Sequence, residues 1–148
     1  MAEEALPKAV LFACTANAIR SPMAAALVSL RYGPTIRVES VGARPGAAID
    51  PLAAEVMDEL GADLSRHRPQ GFDALDSVHF DLIVSLSPEA HHRALELVPS
   101  LAEAAEYWPT FDPSLAEGSR EQRLDEYRLV RDGLWQRIEA RFPRPSTG

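Results

Sequence analysis

Val10-Leu11-Phe12-Ala13-Cys14-Thr15-Ala16-Asn17-Ala18-Ile19-Arg20-Ser21-Pro22-Met23-Ala24 is the stretch that decides how this chain folds. With Ala9, its first four residues make an unbroken apolar run, the pattern of a strand buried on both faces. Ser21 reads as a helix cap with Pro22 at the first helical position, and Met23, Leu27 and Leu30 follow at helical spacing until Gly33-Pro34. Between strand and helix lies a loop that opens on Cys14 and closes on Arg20. Such a turn aims successive N–H groups at one point, and the helix end adds about half a positive charge there. That nest suits a tetrahedral dianion and stabilises a thiolate. The spacing lets the loop curl until sulfur and guanidinium face the same anion, and the planar fork of Arg20 can hold two of its oxygens. The Ser21 hydroxyl can donate to the sulfur. A free cysteine at a strand end is ordinarily a small buried hydrophobe. Cys-x5-Arg-Ser-Pro at this junction reverses that reading. Cys14 is the candidate nucleophile, and Thr15, Ala16, Asn17, Ala18, Ile19, Arg20 and Ser21 are the candidate oxyanion-binding residues.

Outward from this stretch, strands and helices alternate. Residues 35–41 read as a second strand and 42–49 as a Gly/Pro-punctuated loop. Asp50-Pro51 opens a helix whose stripe is Ala53, Val56, Met57 and Leu60, ended by Gly61. Residues 65–72 are basic and irregular, and Phe80-Asp81-Leu82-Ile83-Val84 is a third strand. Ser87-Pro88 opens a helix to about residue 98, residues 105–108 form a weak fourth strand, and 110–118 loop around Asp112-Pro113. From Ser119, whose spacing to Gln122 is that of a capping box, the last helix carries Leu124, Tyr127, Val130, Leu134, Ile138 and Phe142 on one stripe. The expectation is an α/β fold: one domain over residues 1–148, a four-stranded parallel sheet with helices on both faces, and ends 1–7 and 143–148 that fray. Ligands in such sheets bind at the carboxyl ends of the strands, where Cys14 stands.

The length of 148 residues suits one domain, and 46% apolar residues can fill its core. A net charge of -7 argues against a nucleic-acid or anionic-membrane partner, so an anion must be drawn in locally. One cysteine excludes an intramolecular disulfide and fits a reducing, cytoplasmic setting. No secretory leader or membrane span is read, and a monomer is expected. His91-His92 would face different sides of a helix, so the pair reads as a solvated face, and no metal or cofactor is expected.

Taken in order, these segments resemble the low-molecular-weight protein tyrosine phosphatases and the arsenate reductases that share their fold. The resemblance is carried by 10–14, Asn17 and 20–24, by Ser40-Val41-Gly42-Ala43, by Leu64-Ser65-Arg66-His67-Arg68-Pro69, by 80–84, and by Asp112-Pro113 with Gly118. It implies Cys14 as nucleophile, Arg20 as the oxyanion clamp and Asp112 as the general acid. It also implies that Asn17 holds a left-handed turn and that Ser21, Ser40 and His67 complete a polar network that rigidifies the loop. Trp108 and Phe111 flank the acid loop, as core or as substrate wall.

Departures from the phosphotyrosine pattern bear on substrate. Ser114 and Leu115 follow Asp112-Pro113 where aromatic residues are usual, and residues 44–48 contain none. Ala16 stands where Gly is frequent, and Ile19 where a second cysteine is frequent. The short segment before Asp112 and the wording Trp108-Pro109-Thr110-Phe111-Asp112-Pro113 are closer to the arsenate-reductase branch. The thioredoxin-coupled members relay oxidation through further cysteines; this chain has none after Cys14, which excludes that route. The first expectation is a phosphomonoester hydrolase acting on a phosphorylated protein or small phosphomonoester through a phosphocysteine. The alternative is an arsenate reductase in which an external small thiol, glutathione or mycothiol, attacks arsenic bound to Cys14. A noncatalytic oxyanion or phosphoprotein binder is the third reading, disfavoured because binding alone needs neither sulfur nor acid.

Overall fold

The computed structural model describes residues 6–75 and 79–143. Four strands form one parallel sheet in the order β2-β1-β3-β4: β1 (Ala9–Cys14), β2 (Arg37–Gly42), β3 (Phe80–Ser85) and β4 (Ala102–Tyr107). Every residue of β1 is buried, as its uninterrupted apolar run requires. The register sets Cys14 beside Gly42 and Ala13 beside Ser85, so the loop after β1 springs from the centre of the carboxyl edge. Helices α1 (Arg20–Tyr32), α2 (Pro51–Asp58) and α4 (Arg120–Arg141) pack over Val10, Phe12, Leu82 and Val84 on one face. On the other, α3 (Pro88–Glu96) lays Ala90 and Ala94 against Leu11, Ala13 and Ile83.

The caps explain where most helices begin. The Asp50 carboxylate accepts from the N–H groups of Leu52 and Ala53, the Ser87 hydroxyl accepts from Ala90, and Ser119 with Gln122 closes a capping box. Helix α1 departs from expectation. It starts at Arg20 with Ile19 in the capping position and no side-chain cap, and Ser21 lies inside its first turn. The Ser21 N–H, with no side-chain cap to take it, meets Cys14 Sγ at 3.4 Å.

Other boundaries shift for packing reasons. The buried stripe of α1 runs through Met23, Ala24, Leu27 and Val28, while Leu30 is exposed. Helix α2 stops at Asp58, which carries Leu60 out to solvent. Helix α3 ends at Glu96, short of residue 98. Strand β4 starts earlier than expected, because Ala102 pairs with Phe80 and is fully buried. Trp108 lies just past that strand, 4% exposed, its ring 6.0 Å from that of Phe12. It is core. At the amino end Leu6 packs on the core, and Phe142 is buried with its carbonyl accepting from the Tyr32 hydroxyl. The rest of the expected frayed ends, 1–5 and 144–148, lies outside the described residues.

A charged brace joins α4 to α2. Arg131, 8% exposed, donates from Nη1 to the Val56 carbonyl and to Glu59 at 2.7 Å each, and Arg128 Nη2 reaches Glu59 at 2.7 Å. The Arg128 and Arg131 guanidiniums hold the Glu59 carboxyl down to about 2, from 4.5. With the folded value depressed, this stabilisation is complete above pH 4.5 and is lost as pH falls toward about 2. Urea titrations of the parent and Glu59→Gln should therefore show a stability gap at pH 7 that narrows steadily below pH 4.5. A gap independent of pH would remove the ionised carboxylate from the brace.

Candidate active site

The loop from Cys14 to Ser21 is shaped by where its carbonyls go. Ala43 N–H donates to the Cys14 carbonyl at 2.9 Å, Arg44 to Thr15 at 2.8 Å, Gly46 to Ala16 at 2.9 Å and Asp50 to Ala18 at 3.0 Å. The Asn17 carbonyl accepts from His67 Nε2 at 2.9 Å, which fixes that histidine tautomer. In a planar trans peptide an outward carbonyl turns the next N–H inward. The N–H groups of Thr15, Ala16, Asn17, Ala18 and Ile19 thus converge on the inside of the loop. Asn17 N–H meets Cys14 Sγ at 3.3 Å and Ser21 N–H meets it at 3.4 Å. Among the described residues those of Thr15, Ala16, Ala18 and Ile19 have no partner within the chain.

Asn17 is the hub. It is fully buried and left-handed, with φ of 55°, a conformation Asn tolerates better than most residues. Its Nδ2 donates to Ser21 Oγ at 2.8 Å and to Ser40 Oγ at 2.9 Å, and its Oδ1 accepts from Gln70 N–H at 2.9 Å. Ser40 and His67 thus both touch Asn17. Ser21 Oγ has one proton and two acceptors, Cys14 Sγ at 3.0 Å and the Val41 carbonyl at 3.2 Å. When the sulfur is ionised the proton is best placed on it, since a charged acceptor makes the stronger bond.

Arg20, 8% exposed, reaches the Thr110 carbonyl with Nη1 at 2.9 Å and Thr15 Oγ1 with Nη2 at 3.5 Å. This ties Arg20 to the loop that bears Asp112. The Asp112 Oδ1 accepts from Ser114 N–H at 3.0 Å and Ser114 Oγ at 2.7 Å, opening a short 3-10 turn at Pro113–Leu115. Its Oδ2 has no hydrogen-bond partner among the described residues. Asp50 links three elements: its N–H holds the Ala18 carbonyl, its Oδ1 caps α2, and its Oδ2 accepts from the Tyr127 hydroxyl at 2.9 Å. Burial, then the Asp50 carboxylate, raises the proton affinity of Tyr127, so this donor persists.

Gly42, Gln70, Asp50, Glu89 and the Thr110 carbonyl take part in this site without having been read as site residues. Gly42 carried a usable signal, a glycine ending a strand beside the loop. A Cβ there would lie 2.7 Å from Asn17 N and 2.8 Å from the Thr15 carbonyl oxygen. The His91-His92 expectation needs correction: His92 is exposed, but His91 is half-buried and stacks on Tyr107 with ring centroids 4.7 Å apart. Phe111 is 54% exposed, so of the two flanking aromatics it alone faces outward.

Gly42→Ala should displace the loop backbone, since both near atoms are main chain. The expected cost is about 1–3 kcal/mol of stability, with loss of measurable inorganic phosphate binding. Arg20→Lys should weaken phosphate binding without a comparable fall in melting temperature, because an ammonium cannot replace the fork. Retained phosphate affinity in both variants would contradict this anion site.

Known proteins share the sequence pattern and the fold of this chain. The family model described as low molecular weight phosphotyrosine protein phosphatase matches residues 9–140. An arsenate reductase of Bacillus licheniformis is 31% identical over 133 residues, covering 89% of this chain and 93% of that protein. The solved structure titled "An arsenate reductase in the phosphate binding state" superimposes with a TM-score of 0.70 at 26% identity, covering 90% of this chain and 95% of that one. The arginine phosphatase from Geobacillus stearothermophilus has the same fold, with a TM-score of 0.67 at 24% identity over 90% of this chain and 89% of its own. With its loop, sheet order and 9–140 match, the chain belongs to the low-molecular-weight phosphotyrosine protein phosphatase family.

Proposed function

We propose that the chain is an arsenate reductase that passes arsenic from Cys14 to an external small thiol. One observation carries the reading: a complete oxyanion cradle opens onto a rim with little to grip an aromatic ester. Residues 44–48 are all exposed and contain no aromatic side chain, and exposed Ser114 and Leu115 follow Asp112-Pro113. The name of the Bacillus licheniformis relative supports the same direction.

In this reading the Cys14 thiolate attacks arsenic while an arsenic–oxygen bond breaks, and Asp112 supplies the proton that leaves with the oxygen as water. Arg20 and the inward N–H groups hold the remaining oxygens without reorganising. An external thiolate then bonds to arsenic, and the electron pair of the Cys14–arsenic bond returns to Cys14. There the sulfur meets the N–H groups of Asn17 and Ser21 and the Ser21 hydroxyl. A second thiol attacks the sulfur of the released adduct. A disulfide forms, its electron pair passes to arsenic, and As(V) becomes As(III). Two thiols lose two electrons, so no second protein cysteine is needed.

The second reading is phosphomonoester hydrolysis by the same residues, with water cleaving a phosphocysteine. Exposed Phe111 beside Asp112 favours it by offering one aromatic wall.

One preparation should be assayed with arsenate plus glutathione or mycothiol, and separately with an aryl phosphate. The expected result is arsenite only when thiol is present, one disulfide per arsenite, and no turnover by Cys14→Ser. Aryl phosphate turnover without arsenite would move the assignment to the second reading. In the reductase, Asp112→Asn should slow arsenite formation by about 100- to 10,000-fold. An unchanged rate would assign Asp112 only the capping of its turn.

A further inference from the structure

We propose that Glu89 is a positioning residue for the Arg20 clamp, acting through the hydroxyl of Thr15. Thr15 Oγ1 donates to Glu89 Oε2 at 2.8 Å, and the same oxygen accepts from Arg20 Nη2 at 3.5 Å. On the far side Arg20 Nη1 is fixed by the Thr110 carbonyl at 2.9 Å. The guanidinium is thus steered from both ends, by Thr15 in its own loop and by Thr110, 90 positions away.

The indirect arrangement has a physical reason. A carboxylate bonded directly to Arg20 would occupy the fork that the oxyanion must use. Set one hydroxyl away, Glu89 orients the guanidinium through its field and leaves the fork open. Thr15 can serve because its proton goes to Glu89, so the lone pairs of its oxygen face the cation. A β-branched residue also has a restricted χ1, which holds the hydroxyl in place.

Glu89 is itself held. It lies in the first turn of α3, behind Ser87 as cap and Pro88. Its own backbone N–H, then the Thr15 hydroxyl and the charges of Arg44 and Arg20, keep its carboxyl below the ordinary range, so it is ionised at neutral pH.

The sign of one measurement separates positioning from simple charge. A carboxylate beside an anion site repels the anion, so removing it would tighten binding if charge were its only effect. Positioning predicts the reverse. Inorganic phosphate should be titrated calorimetrically into the parent, Glu89→Ala, Thr15→Val and the double variant. Both single variants should bind about tenfold more weakly, and the double should bind no more weakly than either, because the two act in series. Thr15→Ser should recover part of the Thr15→Val loss. Melting temperatures separate this from damage to α3, which Thr15→Val leaves intact. Tighter binding by Glu89→Ala, or losses that add in the double variant, would overturn the proposal. Phosphate binding is scored whichever oxyanion reaction the site runs, so the result stands apart from the reductase assignment.

Discussion

Five carbonyl groups of the loop, those of Cys14, Thr15, Ala16, Asn17 and Ala18, are held outward by donors at Ala43, Arg44, Gly46, His67 and Asp50. Peptide planarity then leaves the following N–H groups no direction but inward. This constraint makes the site. A loop of ordinary residues with no charged side chain before Arg20 becomes an array of donors because its acceptors are engaged elsewhere. The same constraint accounts for the missing cap on α1, for the glycine at position 42, and for the segment 43–50 running close against the loop.

The hub at Asn17 converts that geometry into rigidity. Its side chain and backbone together reach Ser21, Ser40, Gln70, His67 and the sulfur, and every polar atom it buries has a partner. A satisfied buried network is costly to deform, since any shift leaves a donor or acceptor unpaired in a low-dielectric interior. The donors are therefore held in place by the chain itself. Asp50 extends the network outward, joining the Ala18 carbonyl to α2 and, through Tyr127, to α4. The core beneath α2 and α4, on one face of the sheet, thus supports the loop from below.

Much of this was legible in the sequence because it rests on side-chain pattern. The apolar run before Cys14, the Asp50-Pro51 and Ser119–Gln122 caps and the stripe of α4 each announce an element through residue type. Ser21 reads as a cap in the sequence because a serine before proline carries the same signal whether it caps a helix or faces a sulfur. Strand β4 was weak because Ala102-Glu103-Ala104-Ala105-Glu106-Tyr107 lacks β-branched residues, and its pairing with β3 overrides that propensity. Thr110 gives no signal because it acts through a backbone carbonyl, which every residue supplies, and Gln70 meets Asn17 through a backbone N–H, its side chain reaching only the Ser40 carbonyl. Glu89 and Thr15 are separated by 74 positions, beyond any local motif. Cys14, Arg20 and Asp112 would serve either oxyanion reaction, so they do not separate hydrolysis from reduction. The rim does separate them, through the absence of aromatic side chains at 44–48 and 114–115, as do the single cysteine and the wording of 108–113.

A crystal structure with inorganic phosphate bound tests the central claim, that outward carbonyls create an oxyanion cradle around Cys14. Phosphorus is predicted to face Cys14 Sγ. Its oxygens should accept from the N–H groups of Thr15 to Ile19 and from both terminal nitrogens of Arg20, with the loop carbonyls still held by residues 43–50 and 67. Phosphate seated elsewhere, or a loop carbonyl turned inward toward the sulfur, would contradict the account.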